Sequence, residues 1–270
     1  MPLIETPDGP AWKRRTPKEQ YVRWFIWLIA LTIIAYAWKG ISDKTIWFFV
    51  QDAPAQMVDI VGRMVPPKFS YMSQLWIPIW DTLNIATLGT VIALVIAVPV
   101  AFAAAHNTTP HPVVRAVAIF IIVSSRSVNS LIWALMLVFI FGPGVLAGTI
   151  AIGLRSIGFC AKLLYESIEE IDHTQVEAIE ATGASKAQQM VFGIIPQILP
   201  TLAGIGVFRW DINIRESTIL GYVGAGGIGL QLSGSIDTLA WTQVSVILLV
   251  ILVTVIISEW VSAKVRGAII

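Results

Sequence analysis

The sequence carries little charge for its length. Only 13% of its 270 residues are Asp, Glu, Lys or Arg, whereas 56% are hydrophobic and the mean hydropathy is +0.76. Soluble domains carry roughly twice that share of charged residues, because their surface faces water. The composition therefore excludes an ordinary soluble protein and predicts an all-α integral membrane protein.

Cysteine and the common catalytic motifs are also scarce. The single cysteine, Cys160, allows no internal disulfide, and its apolar surroundings predict a packing role. The sequence has no G-x-x-x-x-G-K-[ST] loop, so any step driven by ATP needs another subunit. It also has no Ser/His/Asp or H-E-x-x-H arrangement, which argues against an enzyme.

Metal and nucleic-acid sites are not predicted either. His106 and His111 share one short loop, with no cysteine or carboxylate close to them in the sequence. Two such histidines are a poor metal site. The formal net charge of +1 lacks the basic excess typical of nucleic-acid binding.

Long apolar runs predict about six transmembrane helices. They cover residues 24–38, 82–105, 113–141, 145–165, 197–220 and 240–261. Pro99 is expected to kink the second helix. The third run is interrupted by the polar residues 124–130, and a tight turn is expected at residues 141–144.

Cations near the two ends predict the orientation. Residues 1–23 form a polar leader with five Lys or Arg residues, and Lys264 and Arg266 follow the last apolar run. Clusters of this kind mark the cytoplasmic side. The leader is too long and too charged for a cleaved signal peptide. Both termini are therefore predicted in the cytoplasm, residues 24–270 form the transmembrane domain, and residues 39–76 form an outer loop whose segment 46–65 suits short amphipathic helices.

A glycine-rich segment precedes the last predicted helix. Gly224, Gly226 and Gly229 match G-x-G-x-x-G, but no acidic residue follows at the distance that a dinucleotide site requires. Together with Gly227, these glycines are expected to form a re-entrant bend or tight turn that lets helices approach closely.

The longest polar run after the first spans lies at residues 168–196. Gly183 is placed where a helix would end, and Pro196 is expected to end or kink the next helix. Two pairs have the spacing of capping boxes, Asp172 with Gln175 and Ser185 with Gln188. The run therefore predicts a helix, a glycine turn and a second helix on the inner side.

This run resembles the E-A-A-x3-G-x9-I-x-L-P loop of permease subunits of bacterial ABC importers. Ile179, Gly193 and Ile195 depart from that pattern. The resemblance implies a surface that seats in a groove of a cytosolic ATPase, which holds ATP and magnesium. Its residues would be Glu177, Ala178, Glu180, Ala181, Gly183 and Pro196. The alternative is a helix lying on the bilayer, for which the acidic face is unsuited.

Six charged residues interrupt the predicted spans: Arg126, Arg155, Arg209, Asp211, Arg215 and Glu216. Since an ion in hydrocarbon costs at least about 2.5–3.5 kcal/mol, such residues face a cavity or a partner. Spacing allows Asp211 to pair with Arg215, and Arg209 with Glu216 two turns along. Arg126 and Arg155 then have no carboxylate partner within the spans.

Two interpretations of these charges stay open. Either they are structural ion pairs, or unpaired cations line a path for a small anion. The path would comprise Ser125, Arg126, Ser127, Asn129, Arg155, Arg209, Asn213 and Arg215. Asp211 and Glu216 would then restrain the arginines or form a gate.

Residues 126–172, 180–185 and 209–229 are together similar to the phosphonate-type permeases of ABC importers, a resemblance that extends over roughly residues 82–266. It implies a MetI-like fold with cytoplasmic coupling helices, a homodimeric pore, and no cofactor bound by this chain. It further implies two cytosolic ATPase subunits, a periplasmic or surface-tethered binding protein, the bacterial inner membrane, and phosphonate, phosphite or hypophosphite as cargo.

Three alternatives to that function remain open. They are an ABC importer permease for another small solute, a secondary transporter or channel, and an intramembrane enzyme. The lack of an intramembrane acid away from arginines argues against the second, and the lack of a nucleophile–base or metal constellation argues against the third.

Overall fold

The computed structural model describes residues 3–6, 9–12 and 17–269, and the chain divides into two units between Asp59 and Ile60. The first unit contains a short antiparallel hairpin of β1 (Leu3–Thr6) and β2 (Gly9–Trp12), followed by helix α1 (Pro17–Ser42). Helix α2 (Trp47–Met64) crosses the boundary between the units. Residues 46–65 were expected to suit short amphipathic helices, and the structure has one helix of 18 residues there.

All regular secondary structure in the described part of the second unit is helical. After a 3₁₀ turn at Phe69–Gln74 come α3 (Trp76–Ala104), α4 (Pro112–Ser127), α5 (Ser130–Phe141) and α6 (Val145–Glu169). The short helices α7 (His173–Glu180) and α8 (Lys186–Gln189) follow, then a π-helical turn at Met190–Ile194. The chain ends with α9 (Ile195–Gly221), α10 (Ile228–Asp237) and α11 (Trp241–Ile269).

Five of the described helical segments are long and apolar enough to cross a membrane, and a sixth span results if α4 and α5 count as one. The two helices meet at an angle of 88° at the interrupted polar stretch. The prediction of about six spans agrees with this number. Helix α3 begins six residues earlier than predicted, at Trp76, because Pro78 lies in its first turn, where proline is tolerated.

Helix α6 lies at the centre of the second unit, and α3, α4, α5 and α9 pack around it. Glycines permit these close approaches. A Cβ at Gly89 would lie 2.8 Å from Ile152, and one at Gly158 would lie 2.5 Å from the Ile122 oxygen. Because such contacts leave no room for a side chain, these glycines bring α3 and α4 against α6.

The glycine-rich segment forms a tight turn between α9 and α10. Gly224, Gly226 and Gly227 have φ of +88°, +84° and +73°, and the Gly224 oxygen accepts a hydrogen bond from the Gly144 nitrogen at 2.9 Å. A Cβ on Gly229 would lie 1.9 Å from a backbone oxygen of α9. The segment therefore combines left-handed backbone with close helix contact. Helix α10 was not predicted, because it has only ten residues and its polar side chains interrupt the apolar run that marks a membrane helix.

Pro196 lies in the first turn of α9, and the chain stays helical from Lys186 to Gly221. The prediction that a helix ends at Pro196 is therefore wrong. The distortion comes just before it: in the π-helical turn, the Ile195 nitrogen donates to the Met190 oxygen, one residue farther than in an α-helix.

Candidate functional site

The start of α7 is held by two side chains. Asp172 caps the helix, because its Oδ1 accepts a hydrogen bond from the Thr174 nitrogen at 2.9 Å. Hydrogen bonding from the Thr174 side chain, together with this backbone bond, lowers the pKa of the Asp172 carboxyl. The Asp172 nitrogen donates to Gln197 Oε1 at 2.9 Å, so the glutamine that completes the cap comes from α9 and not from Gln175. The predicted capping box at Asp172 and Gln175 is corrected in this respect.

Gly183 and Ser185 form the turn between α7 and α8. Gly183 has φ of +83°, and its nitrogen donates to the Glu180 oxygen at 2.9 Å. Gln188 Oε1 accepts from the Ser185 nitrogen at 2.8 Å and closes a capping box. Both features follow the prediction, since a left-handed residue ends α7 and a capping box begins α8.

One face of α7 is exposed and the opposite face packs on the π-helical turn. The predicted docking residues on the exposed face are Glu177, Ala178, Glu180 and Ala181. On the other side, Val176 and Ile179 surround Gly193, where a Cβ would lie 3.4 Å from each side chain. Two departures from the expected loop pattern therefore compensate each other: Ile179 is larger than alanine, and Gly193 makes room for it.

The loop between α3 and α4 is fixed beside this region. His106 Nδ1 lies 3.0 Å from Glu169 Oε1, and Arg115 lies 3.6 Å from the same oxygen. The sequence had shown no carboxylate near His106. Glu169 is distant in sequence, and it becomes a neighbour only because α6 ends beside this loop.

Arg209 lies at the centre of a buried polar cluster within the helices. Its side chain is 3% exposed, its Nε donates to Ser156 Oγ at 2.9 Å, and its guanidinium carbon lies 5.2 Å from the centre of the Phe159 ring. Its terminal nitrogen is 3.4 Å from Glu216 Oε2. The predicted pairing of Arg209 with Glu216 is confirmed.

Arg155 joins the same carboxylate from α6. Its terminal nitrogen lies 3.3 Å from Glu216 Oε1 and 3.2 Å from Ser130 Oγ. The prediction that Arg155 has no acidic partner is therefore wrong, because α6 and α9 pack side by side and bring residues 61 positions apart together. Two guanidinium groups share one carboxylate here, which leaves these three side chains with a formal charge of +1.

Neutral polar groups extend the cluster towards α3. Asn213 Oδ1 accepts from Ser156 Oγ at 3.3 Å, and its Nδ2 donates to Thr90 Oγ1 at 2.8 Å. Of these, only Asn213 was predicted as a pathway residue. Thr90, Ser130 and Ser156 were missed, because a lone hydroxyl in an apolar helix commonly bonds to its own backbone.

Arg215 points away from this cluster. It pairs with Asp211, as predicted, and Asp211 Oδ1 also accepts a hydrogen bond from Ser258 Oγ of α11 at 2.8 Å. Asp211 is buried, whereas the Arg215 side chain is 47% exposed. The six-residue spacing from Arg209 turns Arg215 to another face of α9, so the structure does not bring these two arginines together.

The remaining predicted pathway residues lie where α4 meets α5. Ser125 Oγ bonds to the Leu154 oxygen and accepts from the Gly158 nitrogen at 2.9 Å, which fixes α4 on α6. Asn129 caps α5 by accepting from the Leu131 nitrogen at 3.0 Å.

Arg126 and Ser127 are exposed at this corner. Ser127 Oγ donates to the Ser124 oxygen at 2.9 Å. Among the described residues no acid pairs with Arg126, unlike Arg155, Arg209 and Arg215. Arg126 is therefore the unpaired cation of the predicted pathway in this part of the chain.

Comparison with known proteins identifies the family. The family model described as "Binding-protein-dependent transport system inner membrane component" matches residues 97–267. The chain belongs to this family. It is a multi-pass inner membrane permease and a transport subunit, not an enzyme.

Individual relatives of this permease handle phosphorus compounds according to their names. It is 39% identical over 241 residues to the phosphite transport system permease protein PtxC of Stutzerimonas stutzeri, covering 88% of this chain and 86% of that one. It is 37% identical over 215 residues to the phosphate-import permease protein PhnE of Mycolicibacterium smegmatis, covering 80% of this chain and 40% of that one.

Solved permeases confirm the fold. An inward-facing structure of the MetNI methionine ABC transporter aligns with a TM-score of 0.64 and 20% identity, covering 74% of this permease and 98% of that chain. An amino acid ABC transporter aligns with a TM-score of 0.63 and 19% identity, covering 74% and 95%. The predicted MetI-like permease fold is thus confirmed. The family match at residues 97–267 contains the loop at α7 and all of the Arg209 cluster except Thr90.

Proposed function

We propose that this permease forms the membrane path of an ATP-driven importer for a small phosphorus oxyanion such as phosphite, hypophosphite or a phosphonate. Relatives named for phosphite transport, at 39% and 32% identity over 88% of the chain, support this cargo. The observation that carries the proposal is the shared carboxylate: Glu216 lies within 3.4 Å of both Arg155 and Arg209.

The chemistry of that arrangement suits an oxyanion. A guanidinium donates forked, charge-assisted hydrogen bonds to carboxylates and phosphate-like oxygens alike. Glu216 therefore occupies the kind of position that a phosphorus oxyanion would take between the arginines. Since the three charged groups sum to +1, the cluster attracts an anion even with Glu216 in place.

Glu216 then acts as a gate by competing with the cargo. An anion that enters must share or displace the carboxylate, and the carboxylate returns when the anion leaves. The competition weakens binding of the cargo, which a transport path requires because tight binding would prevent release. Asn213 and Ser156 add neutral hydrogen-bonding groups next to Arg209.

The other parts of the importer follow from this role. The exposed face of α7, with Glu177 and Ala178, docks on a cytosolic ATPase, and two such ATPases bind ATP and magnesium. A second copy of this chain completes the pore, and a binding protein delivers the anion from outside. Both termini and α7 lie in the cytoplasm, in agreement with the Lys and Arg residues near the chain ends.

Uptake by charge variants tests the path. Arg209→Ala and Arg155→Ala should insert and bind the ATPase but lose most uptake of labelled phosphite and phosphonate. Lys162→Ala is the control, because the ion pair of Lys162 in the described structure is with Glu166, one helical turn away on α6. Wild-type uptake in both arginine variants would contradict the anion path and favour purely structural pairing.

A further inference from the structure

Helix α2 has a continuous apolar face and a continuous polar face. The polar face recurs at i, i+4, i+7 and i+11, as Asp52, Gln56, Asp59 and Arg63. The apolar face recurs at helical spacing on the opposite side, as Trp47, Val50, Pro54, Met57, Val58 and Val61. A helix with this division places one side in an apolar medium and the other in water.

The apolar side of α2 is uncovered in the structure. None of the residues of α2 is buried, and Met57, Val58 and Val61 are 66%, 74% and 59% exposed. Helix α2 is also not among the described segments that are apolar enough to cross a membrane. Its 18 residues carry charges along the whole polar face, so it neither spans the bilayer nor suits bulk water.

Aromatic residues mark the corner between α1 and α2. Trp38, near the end of the apolar α1, has its ring centre 6.3 Å from that of Trp47, the first residue of α2, and the Phe48 and Phe49 rings touch beside it. Tryptophan is enriched where membrane meets water. The corner therefore has the chemistry of the head-group region.

The link between the two helices is short. Four residues, 43–46, connect α1 to α2, and such a link spans at most about 14 Å. Helix α2 thus starts at the depth where a membrane-spanning helix ends. Tethering of this kind raises the effective concentration of α2 at the bilayer, so a modest apolar face is enough to keep it there.

We propose that α2 lies flat in the head-group region of the bilayer, with Trp47, Met57, Val58 and Val61 facing the acyl chains and Asp52, Gln56 and Asp59 facing water. A lipid surface fits this face better than a protein partner, because the face runs from Trp47 to Val61 without an interrupting charge. At 1.5 Å per residue the helix covers about 27 Å of membrane surface. It thereby anchors the segment between the first two spans, independently of the transported cargo.

Depth-dependent fluorescence tests this placement in the complete transporter. Cysteines at Met57 and Gln56 are labelled with an environment-sensitive dye; the two positions are adjacent along the chain and about 100° apart around the helix, the first on the apolar face and the second on the polar face. The background carries Cys160→Ala, which removes the only native thiol. The complex is placed in phosphatidylethanolamine and phosphatidylglycerol vesicles, with and without spin-labelled lipid.

The label at Met57 should emit at shorter wavelength and lose most of its fluorescence to spin-labelled lipid, whereas the label at Gln56 should change little. A cysteine at Val61 should repeat the Met57 result if the Met57 variant assembles poorly. Equal quenching at Met57 and Gln56 would overturn the proposal. So would a Met57 label that lipid does not quench and that becomes shielded only when the binding protein is added, since this would identify a protein-docking face.

Discussion

Substitution of Gly183 by valine tests the coupling loop most cleanly. Gly183 has φ of +83° in the turn between α7 and α8, and a Cβ built there meets no atom within 4 Å. The first side-chain carbon of a valine therefore meets no neighbour in the described structure. The main effect expected of the substitution is that of the backbone conformation which the turn requires.

The magnitude follows from that conformation. A left-handed backbone costs an ordinary L-residue about 1–2 kcal/mol, and β-branched residues resist it most. A penalty of this size lowers the population of the formed turn by a factor of roughly 5–30. The exposed face with Glu177 and Ala178 would then be presented correctly only part of the time.

The assay compares binding of the ATPase to the inserted permease and ATPase activity stimulated by cargo-loaded binding protein. Gly183→Val should weaken both. Gly183→Asn is the matched control, because asparagine tolerates the left-handed region, and it should retain most activity. Normal binding and normal stimulation in Gly183→Val would refute the assignment of this turn to coupling.

Three further predictions concern topology, charge pairing and packing. A cysteine at Ser185 should react with an impermeant reagent only from the cytoplasmic side, and labelling from outside would contradict the orientation. Glu216→Gln should lower the stability of the folded permease by about 3–5 kcal/mol, because it leaves the buried Arg209 and the partly exposed Arg155 without their shared carboxylate. Adding Arg155→Gln should restore part of the loss, and unchanged melting of the single variant would contradict the shared pair. Gly158→Val should loosen α4 from α6 and lower the melting temperature, since its Cβ would lie 2.5 Å from a backbone oxygen of α4. Gly40→Val, where a Cβ meets nothing within 4 Å, is its control, and equal melting of the two variants would argue against tight packing at Gly158.

Local signals predicted the spans and the inner loop well. Apolar run length marks a spanning helix, and Gly183 and Ser185 act through backbone groups within a few residues. The sequence could therefore locate the glycine turn and the second capping box. It located the cap at Asp172 but not the glutamine that completes it, because Gln197 reaches the cap from 25 positions away.

Contacts between helices were the least predictable part of the site. Pairing of Arg209 with Glu216 follows from their spacing on one helix, whereas pairing of Arg155 with Glu216 depends on how α6 and α9 pack. The contact of Ile179 with Gly193 is of the same kind, since each residue appears anomalous until the two are seen together. Spacing along one helix does not contain this information.

ATP-dependent transport by the reconstituted complex tests the central claim most directly. The permease, its ATPase and its binding protein are placed in vesicles with ATP on the ATPase side, and labelled phosphite, hypophosphite and methylphosphonate are supplied separately. The account predicts accumulation of at least one of these anions that stops when ATP is omitted. Accumulation of none of them, or equal accumulation without ATP, would contradict it.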